Sequence, residues 1–323
     1  MTRFATLAIC VIGLSGGFTA IEAKSETGQA VVEDRGSNIG RWWDALPREQ
    51  WSHYERLPLT STWFEVYRVQ PHIYAIYEPG QFEEVISFLI LGNRTALLFD
   101  TGLGFGDIRE VVSSITPLPV VVLNSHGHYD HIGGNHQFDT VWGVNNEYSN
   151  SRAEGIGHKR VAEYASRAWI SKSTPQGFDP TAYRIKPYQF SRWVQDSQFI
   201  DLGGISLQVI ATPGHSPDSI CLVDYNNRLL FTGDTFYLAP LYAHIEQSDF
   251  EDYRASAARL AKLEADVDLL LTSHNVPVAD AGYLRSLHLA FEAIALGKTP
   301  FEISHGAREY RFDGFSVLTH NPP

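Results

Sequence analysis

The chain has 323 residues, of which 44% are hydrophobic and 19% charged, and it carries a formal net charge of -12. Such a composition describes a globular protein able to bury a sizeable core, and it excludes disorder as the organising state. The acidic balance, with no basic patch interleaved with aromatics, argues against nucleic acid or an anionic membrane surface as partner.

The first residues have a separate character. Met1 to Arg3 is a short, weakly basic start, residues 4–14 are apolar, and Ser15-Gly16-Gly17 breaks the run. Ile21 and Ala23 stand at a signal-peptidase spacing, so residues 1–23 are expected to be a secretory signal cut after Ala23. The apolar run is too short to span a bilayer comfortably, so no stable membrane association is expected. The mature protein would then be secreted or periplasmic. Its charge would be unchanged, since Arg3 and Glu22 leave together. Cys10 would also leave, so Cys221 would have no intramolecular partner. Cys221 lies in an apolar run and is expected as a buried core thiol.

Residues 24–64 are expected as a leader and aromatic segment. The part up to about residue 40 is polar, and the part from 41 carries Trp42, Trp43, Trp51, Tyr54 and Trp63, which must pack against something. The main domain is expected over 65–323. Runs rich in Val, Ile, Leu, Phe and Tyr predict strands at Ile73–Tyr77, 85–91 and 95–99. Asp107 is placed to cap a helix through residue 115. Strands are predicted at Val120–Leu123 and 140–144, followed by a helix over 158–170. Strands resume at 205–211, and those at Ile220–Asp224 and 228–232 flank the turn Tyr225-Asn226-Asn227. Residues 250–265 read as an amphipathic helix with Leu260 and Leu263 inward. A strand at 268–271 and a helix at 282–296 follow. The order implies two similar halves, each a mixed sheet with helices outside.

The stretch NSHGHYDHIGG, residues 124–134, follows a predicted strand directly. Imidazole and carboxylate are the usual ligands of zinc and similar ions. His126 and His128 are two apart and point the same way in an extended segment. Asp130 and His131 come after the chain turns and can approach from a second side. Gly133 and Gly134 are expected to let the backbone turn tightly. This spacing suits two metals better than one, so further ligands are needed. His215 in ATPGHS, Asp234 in FTGDT and His274 in LTSH each follow a strand, and the C-terminal ends of strands collect at one sheet edge.

His-x-His-x-Asp-His followed by Gly-His, Gly-Asp and a late His resembles the metallo-β-lactamase fold superfamily, over roughly residues 70–275. The resemblance implies an α/β fold, a four-layer αββα sandwich with a dinuclear site on one edge. It implies that His126, His128 and His215 hold the first of two divalent metal ions, with zinc the default. Asp130, His131 and His274 would hold the second, and Asp234 would bridge them. Asp100 matches the family's early Asp-x-Gly turn and is expected to orient a ligand rather than bind metal. His136 is expected as packing or surface. His244, near Tyr237 and Tyr242, stands where it could face substrate.

Two adjacent divalent ions lower the pKa of a shared water and make hydroxide available near neutral pH. The expected reaction is metal-assisted hydrolysis of a small molecule, with Asp130 as the catalytic residue that handles the proton. A carboxylate at Asp234 resembles the glyoxalase II, lactonase and acyl-thioesterase branches, whereas true metallo-β-lactamases generally lack it. The substrate expected is a lactone, ester or thioester, with β-lactams as the alternative. The related flavin-bearing di-iron oxygen reductases have a carboxylate where His128 stands, so they do not fit. Tyr183, Tyr188, Tyr237 and Tyr242 are candidates to polarise a carbonyl, although core packing is the default for aromatics.

Overall fold

In the strand at Ile73–Tyr77, Ile73, Ala75 and Tyr77 enter one apolar cluster while Tyr74 and Ile76 enter another. Side chains alternate across a strand, so a sheet buried on both faces must have a layer on each side. Other strands repeat the pattern: Leu97 and Phe99 face one cluster and Ala96 and Leu98 the other. This is a computed structural model, and it describes residues 41–59, 61–304 and 306–320. The expected signal at residues 1–23 and its cleavage point lie outside the described residues.

The first sheet has eight strands, adjacent in chain order: β1 (Glu55–Arg56), β2 (Glu65–Gln70), β3 (Ile73–Tyr77), β4 (Ile86–Leu91), β5 (Ala96–Phe99), β6 (Val120–Leu123), β7 (Val141–Val144) and β8 (Arg192–Val194). The second is built from β9 (Phe199–Asp201), β10 (Ser206–Ala211), β11 (Ile220–Asp224), β12 (Leu229–Gly233), β14 (Leu269–Thr272) and β15 (Val278–Asp280), ordered β15-β14-β12-β11-β10-β9. A smaller sheet ordered β13-β18-β17-β16 joins β13 (Pro240–Ala243) to β16 (Glu302–Ser304), β17 (Ala307–Arg311) and β18 (Ser316–Thr319).

The two large sheets meet over Phe88, Phe99 and Phe231, whose rings cross edge to face at 5.5 and 6.1 Å. Outside the first sheet lies α1 (Ile108–Ile115), burying Ile108, Val111 and Val112. The Asp107 carboxylate accepts from the Glu110 N–H at 2.9 Å and caps it. Three short helices follow: α2 (Tyr129–Ile132), α3 (Glu147–Ala153) and α4 (His158–Val161). Outside the second sheet, α5 (Phe250–Ala261) and α6 (Tyr283–Ala295) bury Tyr253, Leu260, Leu284, Leu287 and Phe291. The result is the expected αββα sandwich.

Two expectations need correction, and one pairing was not expected. The helix over 158–170 stops at Val161 and gives way to a 3-10 turn, Ala162–Ala165. Tertiary pairing claims the rest: the Phe82 N–H donates to the Trp169 carbonyl, the Ser171 N–H to the Gly80 carbonyl, and Ile170 bridges Gln81. The helix from 250 ends at Ala261 rather than 265, although Leu263 still packs on the same core as Leu260. The chain also continues past α6 into a hairpin whose last strand, β18, pairs in parallel with β13. That pairing is remote in sequence, and no local pattern announces it.

The aromatic segment after residue 40 packs on the sandwich. Trp51 is buried and stacks on Tyr77 with centroids 4.3 Å apart, and Trp63 is buried in the outer core of the first sheet. Among the described residues, no helix is long and apolar enough to cross a membrane.

Candidate metal centre

Strand direction gathers the site. β5 and β6 are parallel, so Asp100 and the His126–His128 segment leave the first sheet at one edge. β12 and β14 are parallel, and β10 runs the same way because each pairs antiparallel with β11. His215, Asp234 and His274 therefore leave the second sheet at one edge too. A single turn, α2, carries Asp130 and His131 into the gap.

The seven expected ligands come together, six of them buried and His128 half-buried. His128 Nδ1 lies 2.8 Å from His126 Nε2 and 2.9 Å from His215 Nε2. Asp234 stands between this triad and a second group. Its Oδ2 is 3.4 Å from His215 Nε2 and 3.9 Å from His126 Nε2. Its Oδ1 is 3.0 Å from His274 Nε2 and 3.3 Å from His131 Nε2. Asp130 Oδ2 completes the second group, 3.5 Å from His131 Nε2 and 3.7 Å from His274 Nε2. The triad and the group of Asp130, His131 and His274 could each hold a divalent ion.

Each ring but that of His128 is tethered through Nδ1, which leaves Nε2 to face the site. His131 Nδ1 donates to Asp100 Oδ2 at 2.8 Å, His215 Nδ1 to the Tyr242 carbonyl at 3.0 Å, and His274 Nδ1 to the Glu83 carbonyl at 2.7 Å. Ser125 Oγ donates to Asp100 Oδ2 at 2.7 Å and lies 3.0 Å from His126 Nδ1, from which it accepts. Fixing the tautomer through the far nitrogen is how metal-ligating imidazoles are oriented. Asp100 has a positive φ of 69° and also accepts from the Ser125 N–H at 2.7 Å, so its placement is constrained from several sides.

The charges divide the same way. Burial, then neighbouring rings, hold His126 and His128 well below the usual histidine range, and burial lowers His215. These three present neutral lone pairs. Burial also opposes protonation of His131 and His274, but the Asp234 carboxylate overrides it and raises both. Asp234 in turn is held ionised, against its burial, by His274 and His131. His131 Nε2, His274 Nε2 and Asp234 Oδ1 are buried without a geometrically sound hydrogen bond. Three convergent polar atoms left unsatisfied in a buried cluster fit a cation between them.

Gly133 and Gly134 serve a different purpose from the tight turn expected. Both have ordinary helical dihedrals. A Cβ on Gly133 would lie 2.2 Å from the Leu103 backbone carbon, and one on Gly134 2.7 Å from the Thr101 carbonyl oxygen. They let the loop after β5 press against the motif. Gly133→Ala is expected to lower stability by about 1–3 kcal/mol, because backbone rather than a mobile side chain must yield. Denaturant unfolding measures this, and a change within about 0.5 kcal/mol would refute the close-approach account.

Ser125, Glu83 and the Tyr242 carbonyl were not foreseen as participants, and only Ser125, inside the motif, offered a local signal. Among the tyrosines, Tyr183 is buried with its hydroxyl donating to the Leu103 carbonyl, and Tyr188 is buried. Tyr237 donates to the Pro240 carbonyl, with its ring 4.8 Å from that of His274. Tyr242 is half-buried beside His215. His136 is half-buried against the Gly133 carbonyl, and His244 is half-buried just past β13.

A model of the metallo-beta-lactamase superfamily matches residues 82–274. Human acyl-coenzyme A thioesterase MBLAC2 is 30% identical over 199 residues, spanning 58% of this chain and 70% of that protein. Hydroxyacylglutathione hydrolase GloC of Haemophilus influenzae is 24% identical over 198 residues, 59% of this chain and 84% of that one. In structure, a metallo-beta-lactamase family protein from Thermus thermophilus superposes with a TM-score of 0.53 at 21% identity, covering 71% of this chain and 82% of that one.

Proposed function

This chain belongs to the metallo-beta-lactamase superfamily of hydrolases, and we propose that it is an exported dinuclear metal hydrolase that cleaves an acyl thioester. The observation that carries the reading is Asp234, with one carboxylate oxygen toward the His126–His128–His215 triad and the other toward His131 and His274. A carboxylate in that position suits a pair of ions rather than one. The thioester class is favoured over lactones and oxygen esters because the relatives are named as acyl-coenzyme A and hydroxyacylglutathione hydrolases. Export rests on the pattern of residues 1–23, and it points to a thioester met outside the cytoplasm.

In this reading His126, His128 and His215 hold one ion, Asp130, His131 and His274 the other, and Asp234 both, with zinc the default. The ions, when bound, supply an activated water and polarise the carbonyl. The chain's own contribution is to fix the imidazoles through Ser125, Asp100, Tyr242 and Glu83. It also places at Asp130 a buried carboxylate, raised above its usual range by burial, to take and return the proton.

Metal-replete protein is expected to release thiol from acyl thioesters, read with a thiol-reactive chromogen. Background is low because Cys221, the one cysteine among the described residues, is buried and its thiol is pushed up to about 11. Lactone or ester turnover without thioester turnover would move the substrate to oxygen esters. A chromogenic cephalosporin cleaved while thioesters are not would favour the β-lactam alternative. No turnover of any of these by a fully metallated sample would overturn the reading.

A further inference from the structure

We infer that Arg48 and Trp51, which precede the family-matched residues, are positioning residues for His274 and through it for the second metal. The inference rests on the dinuclear reading above. His274 sits two residues past the end of β14, where its backbone bridges Val85 and the Ile86 N–H donates to the Ser273 carbonyl at 2.7 Å, while its ring is held through Nδ1 by one hydrogen bond, to the Glu83 carbonyl. The two segments that form this contact, 83–84 and 274–275, are joined by the Asn275 N–H to the Glu84 carbonyl at 3.2 Å.

Both segments contain a residue in the left-handed region, Glu84 at φ 47° and Asn275 at φ 64°. Asn tolerates that region, but for Glu it is a sparsely populated conformation that persists only where the surroundings over-determine it. Arg48 supplies that constraint to both. Its Nε and Nη2 donate to the two Glu84 carboxylate oxygens at 2.8 and 2.5 Å, and Nη2 also donates to Asn275 Oδ1 at 2.9 Å. Trp51 Nε1 donates to the Asn275 carbonyl at 3.0 Å while its ring stacks on Tyr77. The Tyr77 hydroxyl donates to Glu84 Oε2 at 2.5 Å. Glu84 is buried and needs this pairing. One bidentate guanidinium and one indole N–H thus set the backbone of the residues on either side of the His274–Glu83 bond. A planar fork holds two acceptors in register in a way that an ammonium does not.

The test is metal stoichiometry and stepwise affinity, measured by chelator competition and by the absorption of cobalt-loaded protein. Arg48→Ala is expected to weaken the second ion by about 10–100-fold, the cost typical of removing a partner that orients a ligand, with the first ion unchanged. Its second-site cobalt band should shift, and Arg48→Lys should not restore it. Trp51→Phe keeps the stacked ring and removes only the N–H. It should shift the same band in the same direction, and it carries the test if Arg48→Ala does not fold. Wild-type affinities for both ions in Trp51→Phe and in folded Arg48→Ala would overturn the inference, even if thermal stability fell. Equal weakening of both ions would also overturn it, since that marks general loosening. A wild-type protein that binds fewer than two ions would overturn the dinuclear reading, and the inference with it.

Discussion

Asp234→Ala is expected to weaken both bound ions by more than about 100-fold, since residues that merely orient a ligand already cost about 10–100-fold. The Asp234 carboxylate reaches both groups: Oδ2 faces His215 at 3.4 Å and Oδ1 faces His274 at 3.0 Å. Turnover should fall with occupancy. Asp234→Asn, which keeps the shape and removes the charge, should behave alike. A second signature appears in the metal-free protein. Burial opposes the proton on His274, yet the Asp234 carboxylate raises its pKa to about 9. A folded-state pKa above the unfolded value stabilises fully below about 6.5 and less as pH climbs through 9, a change of roughly 3 kcal/mol. Metal-free wild type should therefore lose stability between about pH 6.5 and 9, and metal-free Asp234→Ala should lose much less. Pulse measurements of unfolding across that range, beside elemental analysis of the metal, read both effects. Two retained ions in Asp234→Ala would end the bridging assignment.

Asp130→Asn is expected to lower kcat by about 10²–10⁴-fold, the usual worth of a positioned proton-transfer group. The amide keeps the side-chain shape but cannot take a proton. The first-site histidines are untouched, so metal content should fall by no more than one equivalent. Turnover must therefore be compared at matched metal content on the same sample. A kcat near wild type would show that the proton goes elsewhere. Glu83 is then the nearest candidate: burial and the Asp130 charge raise it to about 7, and its Oε1 accepts from the Tyr129 hydroxyl at 2.7 Å.

Much of the architecture was readable because it is written locally. Continuous apolar runs marked β3, β6 and β11 at their observed bounds, and Asp107 marked the start of α1. Residues 158–170 do not stay helical because Phe82 and Gly80, remote in sequence, pair with the backbone at 169–171. The small third sheet was invisible because β13 finds its partner only in β18, at the far end of the chain.

The sequence by itself determined the candidate ligand types and their places at strand ends, because donor chemistry and strand-turn punctuation are properties of short segments. Tertiary structure decided how those ligands divide around Asp234. It also decided which carbonyl or carboxylate holds each imidazole, and why Gly133 must lack a side chain against Leu103. These are relations between segments brought together only when the two sheets close. The energy that fixes them comes from contacts that no single stretch contains.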